Sequence, residues 1–142
     1  MASLFTRIID GEIPGRFVWK DDQCVGFLTI APLGPGHTLV VPRLEIEQWT
    51  DVEPDLLAHL VAVARSIGRA QQEQWEAPRI GLLAQGFEVA HVHLHVWPAF
   101  SPADFDLRRA ESDPDPARMD ADASSLRERL RAQGHGDAVP RD

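Results

Sequence analysis

The sequence predicts an α+β fold: a five-stranded antiparallel sheet with a long helix packed on one face, plus a C-terminal helical tail. Three observations carry this reading. Five short runs rich in β-branched and aromatic residues are separated by Gly, Pro and Asp turn signals. A long amphipathic stripe lies between the third and fourth of them, and after Ser101 the composition shifts to loop chemistry followed by a second, charged helical pattern. With 142 residues, 44% hydrophobic and 25% charged, the chain has the ordinary proportions of one soluble domain, which rules out a disulfide scaffold or a repeat array.

The elements follow in order. Ser3 to Asp10 reads as a short helix, with Ser3 as N-cap, Leu4, Phe5, Ile8 and Ile9 at helical spacing, and Gly11 closing it. Gly11 to Gly15 is a turn. Phe17 to Lys20 and Cys24 to Ile30 are strands joined at Asp21-Asp22. Ala31 to Gly36 holds two prolines and two glycines and reads as a rigid loop before the strand Thr38 to Pro42. Pro54 opens the long helix, whose stripe of Leu56, Leu57, Leu60, Val63, Ala64 and Ile67 carries it to about Trp75. Arg79 to Ala84 and Ala90 to Trp97 are the last two strands, joined by Gln85 to Val89. A final helix is expected over Pro116 to Ala132, with Met119, Leu126 and Leu130 its large apolar contacts, and Gly134 to Asp142 is expected to fray. The chain therefore divides into a domain over residues 1–104 and a charged tail over 105–142.

Charge and cysteine content narrow the partners. Lys and Arg number 14 against 22 Asp and Glu, a net charge of −8, so nothing attracts a nucleic-acid polymer or an anionic membrane surface over long range. A small phosphorylated ligand remains compatible, because local backbone N–H groups and imidazoles override net charge. The one cysteine, Cys24, has no disulfide partner. The N-terminal stretch lacks the apolar core of a signal peptide, and the cytoplasm is the expected compartment.

The informative stretch is His91-Val92-His93-Leu94-His95-Val96. On a strand, side chains at i, i+2 and i+4 share a face about 6.7 Å apart, so the three histidines line one face and the aliphatics enter the core from the other. Imidazoles are costly to bury without partners, which argues against simple packing. Three chemistries use such a row: nucleophilic and acid–base catalysis by neutral imidazoles, a metal held by two or three ring nitrogens with help from Glu88 or His37, or ligand binding without turnover.

This run resembles the signature of the histidine triad (HIT) family, in which three histidines alternate with hydrophobic residues. Phe5 to Pro14 resembles the family's opening helix and turn, Gly36-His37-Thr38-Leu39-Val40-Val41-Pro42 its second landmark, and Leu56 to Leu60 its central helix. The resemblance spans about Ser3 to Ala99. It implies a HIT-like fold and a homodimer whose sheet continues across the subunit interface. The implied activity is that of a nucleotide hydrolase or nucleotidyl transferase at the α-phosphate of a nucleoside phosphoramidate or dinucleoside polyphosphate. In that scheme His93 is the nucleophile, His95 contacts the phosphate and leaving group, His91 orients the central ring, and His37 approaches the same site. No metal or other cofactor is required. The alternatives are a non-catalytic nucleotide-binding or interaction module and, third, a metal-dependent hydrolase.

The chain departs from the family at several points. The aspartate that many members use for ribose hydroxyls is replaced by Thr29. The fourth-strand Asn or Gln and the Gly-Gln-Ser/Thr loop are replaced by a shorter stretch, Leu82 to Ala90, in which Leu83 is apolar and Gln85 offers an amide. Glu88 stands where a phosphate-binding hydroxyl is expected, and an ionised carboxylate there repels phosphate, although it could also orient a histidine or face solvent. The Cys-x-x-Cys that gives some relatives an N-terminal zinc is absent, the corresponding stretch being Ser3-Leu4-Phe5-Thr6. His59 reads as a packing or surface residue and His135 as solvated. Trp97 shares the triad's face and could border the pocket, while Trp19, Trp49 and Trp75 read as packing or interface residues.

Overall fold

Side-chain alternation gives the sheet two buried faces. The computed structural model describes residues 2–141. Its strands are β1 (Phe17–Lys20), β2 (Cys24–Leu28), β3 (Thr38–Pro42), β4 (Arg79–Leu83) and β5 (Leu94–Ala99). They form one sheet in the order β1-β2-β3-β5-β4, with every neighbouring pair antiparallel. Cys24, Leu28, Val40, Leu94 and Val96 face the long helix α2 (Pro54–Trp75). Val25, Phe27, Leu39 and Val41 face the other way, onto Phe5 and Ile8 of α1 (Leu4–Ile9). The expected α+β architecture is the observed one. Among the described residues no helix is long and apolar enough to cross a membrane.

Helix α1 begins as its cap residue dictates: the Ser3 hydroxyl accepts the N–H of Thr6. Helix α2 buries the predicted stripe of Leu56, Leu60, Val63, Ala64 and Ile67 and stops at Glu76, whose φ of 51° is left-handed. Gln71 lies on the same stripe and is fully buried. Its Nε2 donates to the carbonyls of Gly36 and Val96, each at 2.9 Å, so one amide pins the helix to β5 and to the loop before β3. Gly36 itself has a φ of 68°, and a Cβ there would lie 2.5 Å from the Trp75 ring. Glycine is therefore required for conformation and for space.

The C-terminal helix α3 (Pro116–Leu130) closes the α2 face. Met119, Ala123, Leu126 and Leu130 are buried in the same core as α2, and burying each large side chain contributes about 1.5–3 kcal/mol. Arg127 Nε donates to the Phe17 carbonyl at 2.8 Å, tying α3 to β1. The frayed end expected after Gly134 is not what forms. Gly134 reverses the chain with a φ of 93°, Val139 is buried, Arg131 donates to the Pro140 carbonyl at 2.7 Å, and the His135 ring lies 5.3 Å from that of Trp19. A single large apolar residue, Val139 between Ala138 and Pro140, gives no periodic signal, so its burial had no trace in the sequence pattern.

Replacing Gln71 by leucine should lower stability by about 1 kcal/mol: the Gly36 and Val96 carbonyls each lose a donor, but Gly36 keeps the Thr38 hydroxyl at 2.7 Å and the unpartnered Gln71 Oε1 is removed. Urea unfolding checks this; an unchanged midpoint would show that the helix–sheet bridge contributes nothing net.

Candidate active site

The histidine segment only partly belongs to the sheet. Strand β5 pairs with β4 no further back than Leu83↔His95 and with β3 no further than Val40↔Leu94, so it starts at Leu94 rather than at the expected Ala90. The backbone before it bonds elsewhere: the N–H of His91 to the Val89 carbonyl and that of Val92 to the Ile46 carbonyl, both at 2.8 Å. The alternation survives outside the ladder. Val92, Leu94 and Val96 enter the α2 core, and His93 and His95 face the opposite side.

Each imidazole has a definite partner. His91 is fully buried, with Nε2 2.7 Å from the Pro42 carbonyl and Nδ1 2.6 Å from Ser3 Oγ. A carbonyl only accepts, so His91 donates from Nε2 and accepts from the Ser3 hydroxyl at Nδ1. His93 Nδ1 donates to the His91 carbonyl at 2.8 Å, which leaves the His93 Nε2 lone pair free. The backbone N–H of Leu33 donates to His37 Nδ1 at 3.0 Å. His37 therefore carries its proton on Nε2 and donates it to His95 Nδ1, also at 3.0 Å. His95 in turn presents Nε2–H. The protein's partners thus assign all four tautomers.

Burial favours the neutral form of His37, His93 and His95. It holds His37 at about 3, with neighbouring His95 adding to the effect, and His95 at about 4, with neighbouring His93 adding. His93 is lowered by burial as well, against an upward pull from the His91 carbonyl and a smaller one from Glu88. Aromatic rings enclose the set: Phe5 meets His93 edge-on at 4.8 Å, and Trp97 lies against His37 at 5.3 Å.

A cavity of about 450 Å³ opens on this face. It is lined by His93, His95, His37, Thr29, Gln85 and Glu88, with α1 forming a wall. His91 is not on its surface; it orients His93 through its backbone carbonyl, while its ring ties α1 to the end of β3. Trp97 does not border the cavity but backs His37, and its Nε1 donates to the Asp104 carbonyl at 3.0 Å. Thr29 is buried, and its hydroxyl accepts the Ala31 N–H at 3.2 Å. Glu88 and Gln85 are exposed. Sequence reasoning identified Ser3 as a helix cap but missed its bond to His91, and it missed Leu33 altogether. Both depend on contacts whose partners the local pattern does not reveal.

The N-terminal zinc that the family resemblance raises does not suit these residues. Ser3 and Thr6 offer neutral hydroxyls where thiolates would be needed. Ser3 Oγ is committed to Thr6 N–H and His91, and Glu45 accepts the Ser3 N–H at 2.6 Å. The four positions form a hydrogen-bonded cluster in their own right.

Comparison with known proteins identifies relatives of this chain. The chain matches the HIT domain over residues 10–101. An uncharacterised HIT-like protein of Mycobacterium tuberculosis is 37% identical over 103 residues, covering 69% of this chain and 72% of that protein. One of Saccharolobus solfataricus is 34% identical over 103 residues, covering 69% and 74%. The crystal structure of a zinc-bound histidine triad family protein from Mycobacterium smegmatis superposes with a TM-score of 0.79 at 29% identity, covering 96% of this chain and 98% of that one. A hypothetical histidine triad nucleotide-binding protein from Sulfolobus tokodaii superposes with a TM-score of 0.79 at 25% identity, covering 90% and 91%. This chain belongs to the HIT family.

Two expected outcomes test the geometry. His37 and His95 have folded-state values of about 3 and 4, below the ordinary 6.5, so the unfolded chain takes up protons first as pH falls. Stability is then complete above about pH 6.5 and declines toward pH 4. His37→Asn should flatten that decline in denaturation curves taken across the range, and an unchanged slope would contradict the burial argument. Ser3→Ala should cost about 1–2 kcal/mol by removing the cap and stranding His91 Nδ1. Ser3→Thr should restore most of the loss in thermal unfolding.

Proposed function

We propose that the chain cleaves a nucleoside phosphoramidate or dinucleoside polyphosphate at the α-phosphate, by hydrolysis or by transfer of the nucleotidyl group. The observation that carries this reading is the pairing, in one cavity, of a bare His93 Nε2 with the Nε2–H of His95. The His93 lone pair forms the bond to phosphorus, and the bond to the leaving group breaks with its electron pair. Water then displaces the nucleoside monophosphate from the histidine adduct and restores the lone pair. His95 donates to a phosphate or leaving-group oxygen, and His91 and His37 hold the two reacting imidazoles in orientation. Thr29, Gln85 and Glu88 are the proposed substrate contacts.

Charge favours the phosphoramidate of the two classes. Arg16 and Glu88 are the only permanently charged residues lining the cavity among those described, and Arg16 is already paired with Asp120 at 2.8 Å. A polyphosphate would bring several negative charges to a site with little to neutralise them.

Three further proposals complete the reading. Residues 1–104 form the HIT-like domain, with 105–142 a segment that covers its α2 face. The protein works as a homodimer that extends the sheet, for which β4 supplies an edge strand with half-exposed Leu82. The partner is a nucleotide or nucleotide-like small molecule rather than a nucleic-acid polymer or a membrane.

The second reading, a nucleotide-binding module without turnover, is favoured by two observations: the Thr29 hydroxyl already accepts the Ala31 N–H, and the exposed Glu88 lines the cavity. Incubation with adenosine phosphoramidate and a diadenosine polyphosphate, followed by measurement of released AMP, separates the readings. Turnover should be higher on the phosphoramidate and fall at least about a thousandfold in His93→Ala. Equal rates in wild type and variant would remove His93 as nucleophile. Calorimetric binding of AMP without turnover would establish the second reading.

A further inference from the structure

Asp21, Cys24 and His59 meet on the far side of the sheet from the cavity, and none of them lines it. They come from three elements: the β1–β2 turn, the first residue of β2 and the second turn of α2. One carboxylate oxygen, the thiol sulfur and one imidazole nitrogen lie within 4.8 Å of one another. His59 Nε2 is 2.7 Å from Asp21 Oδ2, and Cys24 Sγ is 3.6 Å from the same oxygen. We propose that these three side chains form a binding site for a divalent transition-metal ion of the zinc class.

The donor set has the required chemistry. Imidazole, thiolate and carboxylate are the three ligand types that tetrahedral zinc uses, at bond lengths of about 2.0–2.3 Å, which put ligand atoms roughly 3.3–3.7 Å apart. The sulfur–oxygen separation already fits. The His59–Asp21 pair needs to open by somewhat under an ångström, the ion taking the place of the proton they share. The carboxylate is held for the role. Asp21 Oδ1 accepts the backbone N–H groups of Gln23 and Cys24, both at 2.8 Å, and Trp19 Nε1 donates to Oδ2 at 2.8 Å. Hydrogen bonds of this kind orient metal-bound carboxylates, and Oδ2 keeps the lone pair that His59 now uses.

Access and charge are also defined. The Asp21 and His59 side chains are 22% and 30% exposed, while Cys24 is fully buried behind them. An ion therefore enters from the α2 edge, and water fills its fourth position. Burial and the Asp21 carboxylate push the Cys24 thiol up, so the ion itself must displace its proton; Arg43, whose Nε donates to the Asp21 carbonyl at 2.8 Å, opposes the cation and only weakly favours a thiolate. Coordination releases one proton, from the Cys24 thiol; the His59 proton moves from Nε2 to Nδ1. The bound ion would clamp the β1–β2 hairpin to α2.

Cys24 is the only cysteine in the chain, so a sulfur-to-metal signal reports this site alone. Cobalt(II) added to the full-length protein under a non-thiol reductant should give a sulfur-to-cobalt charge-transfer band that saturates at one equivalent. Zinc should displace it and raise the melting temperature. Cys24→Ser should abolish the band. His59→Ala, a partly exposed helix change that keeps the core intact, should weaken binding at least tenfold. The double change His93→Ala with His95→Ala should leave the band unaltered. Absence of a charge-transfer band, or metal binding that survives Cys24→Ser and vanishes with the triad changes, would overturn the proposal and leave the cluster a hydrogen-bonded knot.

Discussion

A single backbone donor sets the polarity of the site. The Leu33 N–H can only donate, so His37 must accept at Nδ1, His95 must accept from His37, and a donor is left facing the cavity. The His91 carbonyl imposes the complementary choice on His93, which must donate at Nδ1 and keep its lone pair at Nε2. Neither outcome depends on pH near neutrality, because burial keeps the imidazoles uncharged. A ring with a free lone pair and a ring that donates, of identical chemical type, are thus distinguished only by what their hidden nitrogens touch.

The rest of the fold serves to hold those hidden partners still. The Leu33 donor sits in a loop whose end is fixed by Gly36, and the Gly36 carbonyl is bound by Gln71 from α2. The same amide grips the Val96 carbonyl one residue beyond His95. Helix α2 therefore reaches both members of the His37–His95 pair through one buried side chain. On the opposite face, Ser3 joins the α1 cap to His91, and His91 joins it to β3. Helix α3 contributes from further away by closing the α2 core, whose burial supplies most of the free energy that keeps these short contacts in register.

The sequence made the fold class, the long helix and the shared face of the histidines legible, for a shared reason. Each rests on a period, 3.6 or 2, that survives local irregularity: Val92 and His93 keep their faces although the ladder begins only at Leu94. What stayed hidden lies in pairs far apart in the chain. The Ser3–His91 bond spans 88 positions and the Asp21–His59 contact 38, and no pattern in either segment announces its partner. Thr29 shows the same limit on a smaller scale. Its place beside the site was readable, whereas the commitment of its hydroxyl to Ala31 required the turn geometry.

The cavity's electrostatics bear on how it would hold a phosphate. Among the described residues, its histidines are held toward the neutral form by burial, its one arginine is paired with Asp120, and its one carboxylate is Glu88. On the proposed reading, binding would come from oriented neutral donors, chiefly His95 Nε2–H and the Gln85 amide. Such dipoles need no reorganisation when charge develops and act more strongly in a partly desolvated pocket than in water. Their benefit grows with the fit of one phosphate and not with the number of charges, whereas repulsion from Glu88 grows with every charge added. A site built in this way rewards a single tetrahedral phosphorus centre carrying little charge and penalises a chain of phosphates. On the proposed reading, the departures from the family pattern at Thr29 and Glu88 act on substrate choice, while the hydrogen bonds that orient His37, His93 and His95 do not involve them.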